Sequence, residues 1–333
     1  MSCSKPLVDA FNRRVTYLRL SVTDRCDLRC SYCMPEKMTY LPRKDVLSLE
    51  EFHKLSLAMI ERGISKIRLT GGEPLVRRDM IELVRALGRK LGDGLDELTL
   101  TTNGTQLAQF ADDLAAAGVK RINVSLDTMD AGLFEQLSRR DRLGQVLQGI
   151  AAAREAGLKV KINTVALKGL NEDEIPYLVE WAHAHGHEMT LIEVMPLGEV
   201  EGQRVDHYLP LTAVRDALEA RWTLTPSEHS SGGPARYVDV AETGGRLGFI
   251  TPLTNNFCAT CNRVRVTATG ELYACLGGAE KVDLRAALRS DAPDTNLALA
   301  LDEAMRIKPE RHHFRIEQGS GPAQPRHMSL TGG

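Results

Sequence analysis

No stretch of this 333-residue chain is apolar for long enough to cross a membrane. Its first residues, Met1-Ser2-Cys3-Ser4-Lys5-Pro6, lack the apolar core of a secretory leader. A basic surplus is missing too: 42 Lys and Arg stand against 44 Asp and Glu, a formal net charge of −2. That balance argues against a nucleic-acid binder held by bulk electrostatics, and no DNA-binding element is recognisable. Seven cysteines are too few for a disulfide scaffold in a chain this long. Neither an internal repeat, beyond an alternation of strands and helices, nor a low-complexity block is present. What remains is ordinary soluble composition, 43% hydrophobic and 26% charged, enough for one large α/β domain and a smaller appendage. The expectation is a cytoplasmic protein without a membrane or nucleic-acid partner.

The cysteines are few but clustered. Cys26, Cys30 and Cys33 form a C-x-x-x-C-x-x-C triple, and Cys258, Cys261 and Cys275 form a second, with Cys3 left over near a terminus. Thiolates are soft ligands suited to zinc or to iron–sulfur clusters. Three are one short of the four that close a cubane, so one iron would keep an open position. An open position on a metal is where chemistry happens. For each triple the rival is zinc completed by a further His or Cys. A zinc ribbon at the second triple would show that fourth ligand at a matching knuckle, and none is nearby.

Read in order, the chain alternates strands and helices. A strand over Val15 to Val22 delivers the first cysteine loop, and Ser48-Leu49-Glu50-Glu51 is a capping box that opens a helix ending near Gly63. Strands follow at Ile67–Thr70, Leu98–Thr102, Arg121–Leu126, Lys159–Ala166 and Thr190–Val194, each but the last followed by a helix; Asn171 with Glu174 makes another candidate cap. Six such units imply parallel strands joined by crossovers, in either a barrel or an open doubly wound sheet. In both, chemistry gathers beyond the C-terminal strand ends. After Met195 the texture changes to a loop, a helix near 211–222, a Ser/Gly/Pro-rich linker at 227–234, short strands and a hairpin turning at Thr269-Gly270.

Charged residues on these strands point to an anion. Arg263 and Arg265 project from one strand face beside the second triple, and guanidinium forks suit phosphate oxygens. Arg19, Arg68 and Lys161 lie on strands that lead to the same end. The alternative for the arginine pair is a solvated strand face. Gly71-Gly72-Glu73-Pro74 follows a strand directly, where two glycines let backbone approach a ligand closely.

Two motifs together carry a resemblance. The first triple, with aromatic Tyr32 before its last cysteine, resembles the cluster loop of the radical S-adenosylmethionine (radical SAM) enzymes, and Gly71-Gly72-Glu73-Pro74 resembles that family's methionine-binding turn. The resemblance implies an incomplete (β/α)6 TIM-like barrel over residues 1–196 and a C-terminal cluster- and substrate-binding region over residues 197–333. It implies that Cys26, Cys30 and Cys33 hold a 4Fe–4S cluster whose open iron chelates S-adenosylmethionine. An electron from the cluster then cleaves the sulfonium to a 5'-deoxyadenosyl radical. By the same mapping Gly72, Ser125 and Met195 contact that cofactor, and Tyr32 lies near its adenine.

The second triple, Thr101-Thr102-Asn103-Gly104, Asn262-Arg263-Val264-Arg265 and Gly332-Gly333 extend the likeness to nearly the whole chain. The branch they resemble opens molybdenum cofactor biosynthesis. It implies a second 4Fe–4S cluster on Cys258, Cys261 and Cys275, and GTP as substrate, contacted by Arg19, Arg68, Thr101, Lys161, Arg263, Val264 and Arg265. The implied reaction closes C3' of the ribose onto C8 of guanine, giving (8S)-3',8-cyclo-7,8-dihydroguanosine 5'-triphosphate, with Gly332 and Gly333 as catalytic residues. An electron donor such as flavodoxin or ferredoxin, a downstream cyclic pyranopterin monophosphate synthase and a homodimer complete the expectation. One position departs from the pattern: the family usually has Arg five residues before the Met of the sixth strand, and here it is Thr190. The rival readings are a radical SAM peptide-modifying enzyme, which asks for more C-terminal cysteines, and a non-catalytic iron–sulfur or zinc regulator that binds nucleic acid, which asks for a basic surface.

Overall fold

Six strands with aliphatic residues at alternate positions build one parallel sheet in the computed structural model, which describes residues 5–199, 204–312, 314, 316 and 322–332. They are β1 (Tyr17–Ser21), β2 (Lys66–Thr70), β3 (Glu97–Thr102), β4 (Arg121–Ser125), β5 (Lys159–Ala166) and β6 (Glu188–Glu193), each paired in parallel with the next. The crossovers carry α1 (Leu49–Glu61), α2 (Met80–Gly88), α3 (Leu107–Ala116), α4 (Ala131–Ser138) and α5 (Leu143–Glu155); α6 (Ile175–Ala184) joins β5 to β6. Alternation along each strand sorts the side chains. Leu18, Leu20, Ile67, Leu69, Ile122 and Val124 join the apolar core with Phe52, Leu55 and Met59 of α1. Tyr17, Arg19, Arg68, Asn123 and Lys161 line a cavity on the inner side.

The rest of the chain adds to both edges of that sheet. After α7 (Leu211–Glu219) come β7 (Leu224–Pro226), β8 (Arg236–Val240) and β9 (Gly245–Ile250), and β9 pairs in parallel with β6. Strand β10 (Arg263–Val266) pairs in parallel with β1, and β11 (Glu271–Tyr273) and β12 (Lys281–Asp283) continue outward antiparallel. The strand order is β12-β11-β10-β1-β2-β3-β4-β5-β6-β9-β8-β7, so the sheet ends in two edges and the barrel is incomplete. The texture change after Met195 is therefore no break in the sheet. Helices α8 (Leu284–Leu288), α9 (Pro293–Arg306) and the short α10 (Met328–Thr331) follow. Among the described residues, no helix is long and apolar enough to cross a membrane.

Two local expectations meet different outcomes. The capping box at Ser48 forms in full: Glu51 N–H donates to Ser48 Oγ at 3.1 Å and Ser48 N–H to Glu51 Oε2 at 2.7 Å. The cap expected at Asn171 does not form. Its buried side chain instead accepts from Leu167 N–H and donates to the Asp127 and Val165 carbonyls, tying loops together. Glu174 is likewise spent on Thr128 and Met129.

Glu51 also receives Arg289 Nε at 2.6 Å, which links the first helix to the end of α8. Ser48→Ala leaves that pair in place and removes only the cap. It should lower unfolding stability by about 1 kcal/mol in a denaturant titration. No change in the midpoint would show that the cap bond adds nothing over water.

Candidate active site

The end of β1 leads into the first cysteine loop, and two glycines seat it. A Cβ at Gly71 would lie 2.4 Å from the Thr23 carbonyl oxygen, and one at Gly72 2.3 Å from that of Arg25. Gly72 N–H donates to Thr23 O and Glu73 N–H to Arg25 O, both at 2.8 Å. The close approach these glycines permit is thus to the cysteine loop's own backbone, although both also line the adjoining cavity. Glu73 is fully buried and accepts from Leu75 N–H, Thr102 Oγ1 and Asn103 N–H. Burial pushes its carboxyl up to about 7. Asn103 Nδ2 in turn donates to Asp27 Oδ1 at 2.8 Å and approaches Cys26 Sγ at 3.7 Å. On the other side Tyr32 Oη donates to Asp127 Oδ2 at 2.6 Å. The loop is pinned at both ends.

Cys26, Cys30 and Cys33 line a first cavity of about 1090 Å³ at the C-terminal ends of the strands. Tyr32, Gly72, Thr101, Ser125 and Met195 line it too. Thr70 Oγ1 and Ser329 Oγ face the same space, buried and, among the described residues, without a hydrogen-bond partner. Buried hydroxyls left unpaired cost free energy that a polar ligand would restore. Burial, then the Glu73 charge, pushes the Cys26 thiol up to about 12, and burial raises Cys30 well above the ordinary range. Such thiols ligate only when a metal displaces their protons. A three-thiol loop beside unpaired hydroxyls fits a cluster with a polar cofactor on its open side.

The second cavity, also about 1090 Å³, lies inside the sheet and holds the second triple. Its wall includes Tyr17, Arg19, Arg68, Asn123, Lys161, Cys258, Cys261, Cys275, Arg263, Val264 and Arg265. Five of these are cations: Arg19, Arg68, Lys161, Arg263 and Arg265. Tyr17 is a partner that sequence reasoning passed over: Lys66 and Arg68 sit over its ring at 5.0 and 5.8 Å. Burial would raise its phenol, yet the charges of Arg68, Arg19 and Lys66 outweigh that and bring it down to about 8. Burial lowers Lys161 to about 7 and Arg19 to about 10. The residues read as a linker close this cavity from below. Ser231 O accepts from Lys66 Nζ at 2.7 Å and from Arg121 Nη2 at 3.3 Å.

Three expected contacts sit differently. Thr101 lines the first cavity, not the second, and its Oγ1 accepts from Arg68 Nη1 at 3.3 Å. Val264 turns its side chain into the core, so only its backbone could meet a substrate. Arg265 Nη1 is engaged with Gly332 O at 2.6 Å and Thr331 O at 3.3 Å. That bond draws the chain's last described residues inward. Gly332 has φ +75, and a Cβ there would lie 1.8 Å from Thr70 Oγ1, so no other residue fits. Gly333 lies outside the described residues. Met328, Met195, Ile192 and Asn163 line both cavities, which places the tail on the partition between them. Met328, Asn123 and Asn163 went unremarked in the sequence; for the two asparagines the strand alternation was a usable signal.

Among the described residues, no three His, Cys, Asp or Glu side chains converge on one ion-sized point. A mononuclear zinc site would ask for that convergence, whereas in a cluster each thiolate takes its own iron. Residues 20–182 match the Radical SAM superfamily and residues 187–314 match Molybdenum Cofactor Synthesis C. Streptococcus suis SuiB bound to S-adenosylmethionine shares the fold with a TM-score of 0.60 at 18% identity, over 91% of this chain and 68% of that one. For anSMEcpe with bound AdoMet the TM-score is 0.56 at 16% identity, over 85% and 83%. Likeness at such identity speaks for the fold alone. Fold and cysteine loop thus define a radical SAM enzyme. The GTP 3',8-cyclase of Erythrobacter litoralis (strain HTCC2594) is 71% identical over 327 residues, 98% of each chain. That of Rhizobium meliloti (strain 1021) is 59% identical over 330 residues, 98% of this chain and 95% of that one. The chain belongs to the GTP 3',8-cyclase family.

The second cavity's electrostatics give a pH test. An unfolded chain keeps Lys161 protonated well above the folded value of about 7, so between the two values stability rises with pH. A bound polyanion does the opposite and pulls the proton back onto Lys161. The affinity of wild type for inorganic tripolyphosphate, divided by that of Lys161→Gln, should therefore shrink by roughly tenfold or more from about pH 7 to about pH 9. Taking the ratio cancels the ligand's own titration. A ratio that stays constant would remove Lys161 from the anion site.

Proposed function

We propose that this protein is a GTP 3',8-cyclase that binds GTP in the second cavity and S-adenosylmethionine in the first. It joins C3' of the ribose to C8 of guanine, giving (8S)-3',8-cyclo-7,8-dihydroguanosine 5'-triphosphate, the first step of molybdenum cofactor biosynthesis. The observation that carries this reading is the wall of five cations beside the second cysteine triple, in a cavity that shares its partition with the first. Cys26, Cys30 and Cys33 would hold one 4Fe–4S cluster, and Cys258, Cys261 and Cys275 a second. When bound, the first cluster supplies the electron that cleaves S-adenosylmethionine and so provides the hydrogen-abstracting group.

The chain's own residues do the rest by binding and orientation. Arg19, Arg68, Lys161 and Arg263 would take the triphosphate, with Thr101 orienting Arg68 rather than touching substrate. Gly72, Ser125, Tyr32 and Met195 would line the cofactor, with Tyr32 presenting its ring because its hydroxyl is held by Asp127. Arg265 would hold Gly332 and the tail against Thr70, so that Met328 and Met195 bound a narrow, dry passage between cofactor and substrate. A flavodoxin or ferredoxin would serve as electron donor, and a cyclic pyranopterin monophosphate synthase would consume the product.

Anaerobic incubation with S-adenosylmethionine, GTP and a reductant should yield 5'-deoxyadenosine and the cyclised nucleotide together. Cofactor cleavage without any cyclised nucleotide would sink the reading. Arg68 is the cleanest substrate contact to remove, since Arg263 also approaches Cys261 and Arg265 holds the tail. Arg68→Ala should weaken GTP binding by about 1.5–3 kcal/mol, the range for hydrogen bonds to a charged group, and leave iron content unchanged. Unaltered GTP affinity would return Arg68 to the fold.

Deleting Gly332 and Gly333 should spare GTP affinity and both clusters yet abolish most cyclisation, because the tail acts on orientation. A truncated protein that cyclises GTP at the full rate would make the seat beside Thr70 incidental.

A further inference from the structure

The two cysteine triples lie in opposite electrostatic surroundings. Around the first stand Asp27, Asp127 and the buried Glu73, the Arg29 guanidinium is turned to the loop's own carbonyls rather than to a sulfur, and the donor near Cys26 Sγ is the neutral amide of Asn103. Around the second the donors are cations. Lys308 Nζ and Arg263 Nη2 each lie 3.8 Å from Cys261 Sγ. Arg263 faces the cavity and is accounted for by substrate. Lys308 is not.

Lys308 is 2% exposed and follows α9 by two residues, on no strand or helix of its own. Its ammonium donates to Ala274 O at 2.6 Å and Arg263 O at 2.9 Å. Among the described residues no carboxylate forms an ion pair with it; the Cys261 and Cys275 sulfurs act on it most strongly, ahead of Asp9, which is itself paired with Arg13. Burying an ammonium without a counter-charge costs several kcal/mol. A thiolate on a cluster would offset that cost. The two carbonyls it grips lie on either side of the hairpin that carries the triple, so its head is held in place rather than free to swing away.

We propose that Lys308 is a positioning residue for the second cluster, whose hydrogen bond to the Cys261 thiolate raises that cluster's reduction potential above that of the first. The proposal rests on the reading that the second triple holds a cluster. Its physical basis is charge. Reduction adds one negative charge to a cluster, a cationic donor on a ligand sulfur favours that form, and nearby carboxylates disfavour it. At any given poise the second cluster is then the more reduced of the two.

The test is a redox titration of the anaerobically reconstituted full-length protein, followed by electron paramagnetic resonance. Lys308→Gln keeps amide donors for the two carbonyls and loses the charge; Lys308→Arg keeps the charge. At the potential where the second cluster of wild type is half reduced, Lys308→Gln should show a reduced-to-oxidised ratio lower by about tenfold, the scale of one charged hydrogen bond. Lys308→Arg should stay near wild type, and the first cluster should not move in either. Loss of the second cluster in Lys308→Gln with retention in Lys308→Arg would also support the role of charge. The proposal is overturned if the second cluster is unmoved in Lys308→Gln, if both clusters shift together, if both variants lose it, or if in wild type it is the harder to reduce. The underlying reading fails separately: a Cys258→Ala, Cys261→Ala, Cys275→Ala protein that keeps full iron has no second cluster to tune.

Discussion

Five cations facing inward across one cavity are the constraint that the rest of this structure accommodates. Buried charges are normally matched by opposite charges, and a matched charge is no longer available to a ligand. Here the compensation is mostly neutral. Arg68 lies over the Tyr17 ring and donates to Thr101 Oγ1, Lys161 meets the Tyr237 hydroxyl, and Arg265 donates to two backbone carbonyls. The carboxylate of Glu97 pairs instead with Lys66 and Arg121, which are not among the lining residues. Ring faces and carbonyls lower the cost of burial without cancelling the charge. The site therefore carries stored electrostatic free energy that an anion releases and that loss of the Lys161 proton relieves in part, as functional sites often do at some expense to stability.

The tail belongs to the same logic. Arg265 is one of the five, but its guanidinium is occupied by two carbonyls of the last turn. Upstream, Gln324 O accepts from Gly198 N–H and Pro196 O from Ala323 N–H, while Arg326 stacks on Tyr273 at 4.2 Å and donates toward Cys275 O. One short segment thus touches the loop after β6, the second cysteine hairpin and the end of β2.

Much of this was legible in the residues. The cysteine spacing marked both triples, alternation put Arg263 with Arg265, and Ser48 with Glu51 fixed a helix start. What escaped was non-local. Period-two patterning reports that a segment is a strand but not which edge it joins, so β9 against β6 and β10 against β1 could not be read. The Gly71-Gly72 turn looks the same whether it admits a ligand or a neighbouring backbone; only the position of Thr23 to Arg25 decides. Lys308 in Ile307-Lys308-Pro309 resembles an ordinary basic residue beyond a helix end. Asn171 had the right spacing for a cap, yet burial gave its side chain better partners.

Thr190 shows how one departure from the family pattern is absorbed. It pairs with Asn163 of β5 and Gly248 of β9, and Gly248 pairs with Tyr237 of β8. A Cβ at Gly248 would come within 2.9 Å of the Tyr237 ring and 3.0 Å of Thr190 Oγ1. The missing side chain at Gly248 lets the tyrosine cross over its neighbour, and the short threonine leaves room for the ring beside it. The Tyr237 hydroxyl then reaches both Lys161 and Ser231 Oγ. An arginine at 190 would compete with the ring for this space. The aromatic fixes a charge already present and ties it to Ser231. A fixed ammonium loses less rotamer entropy on meeting an anion than a free one.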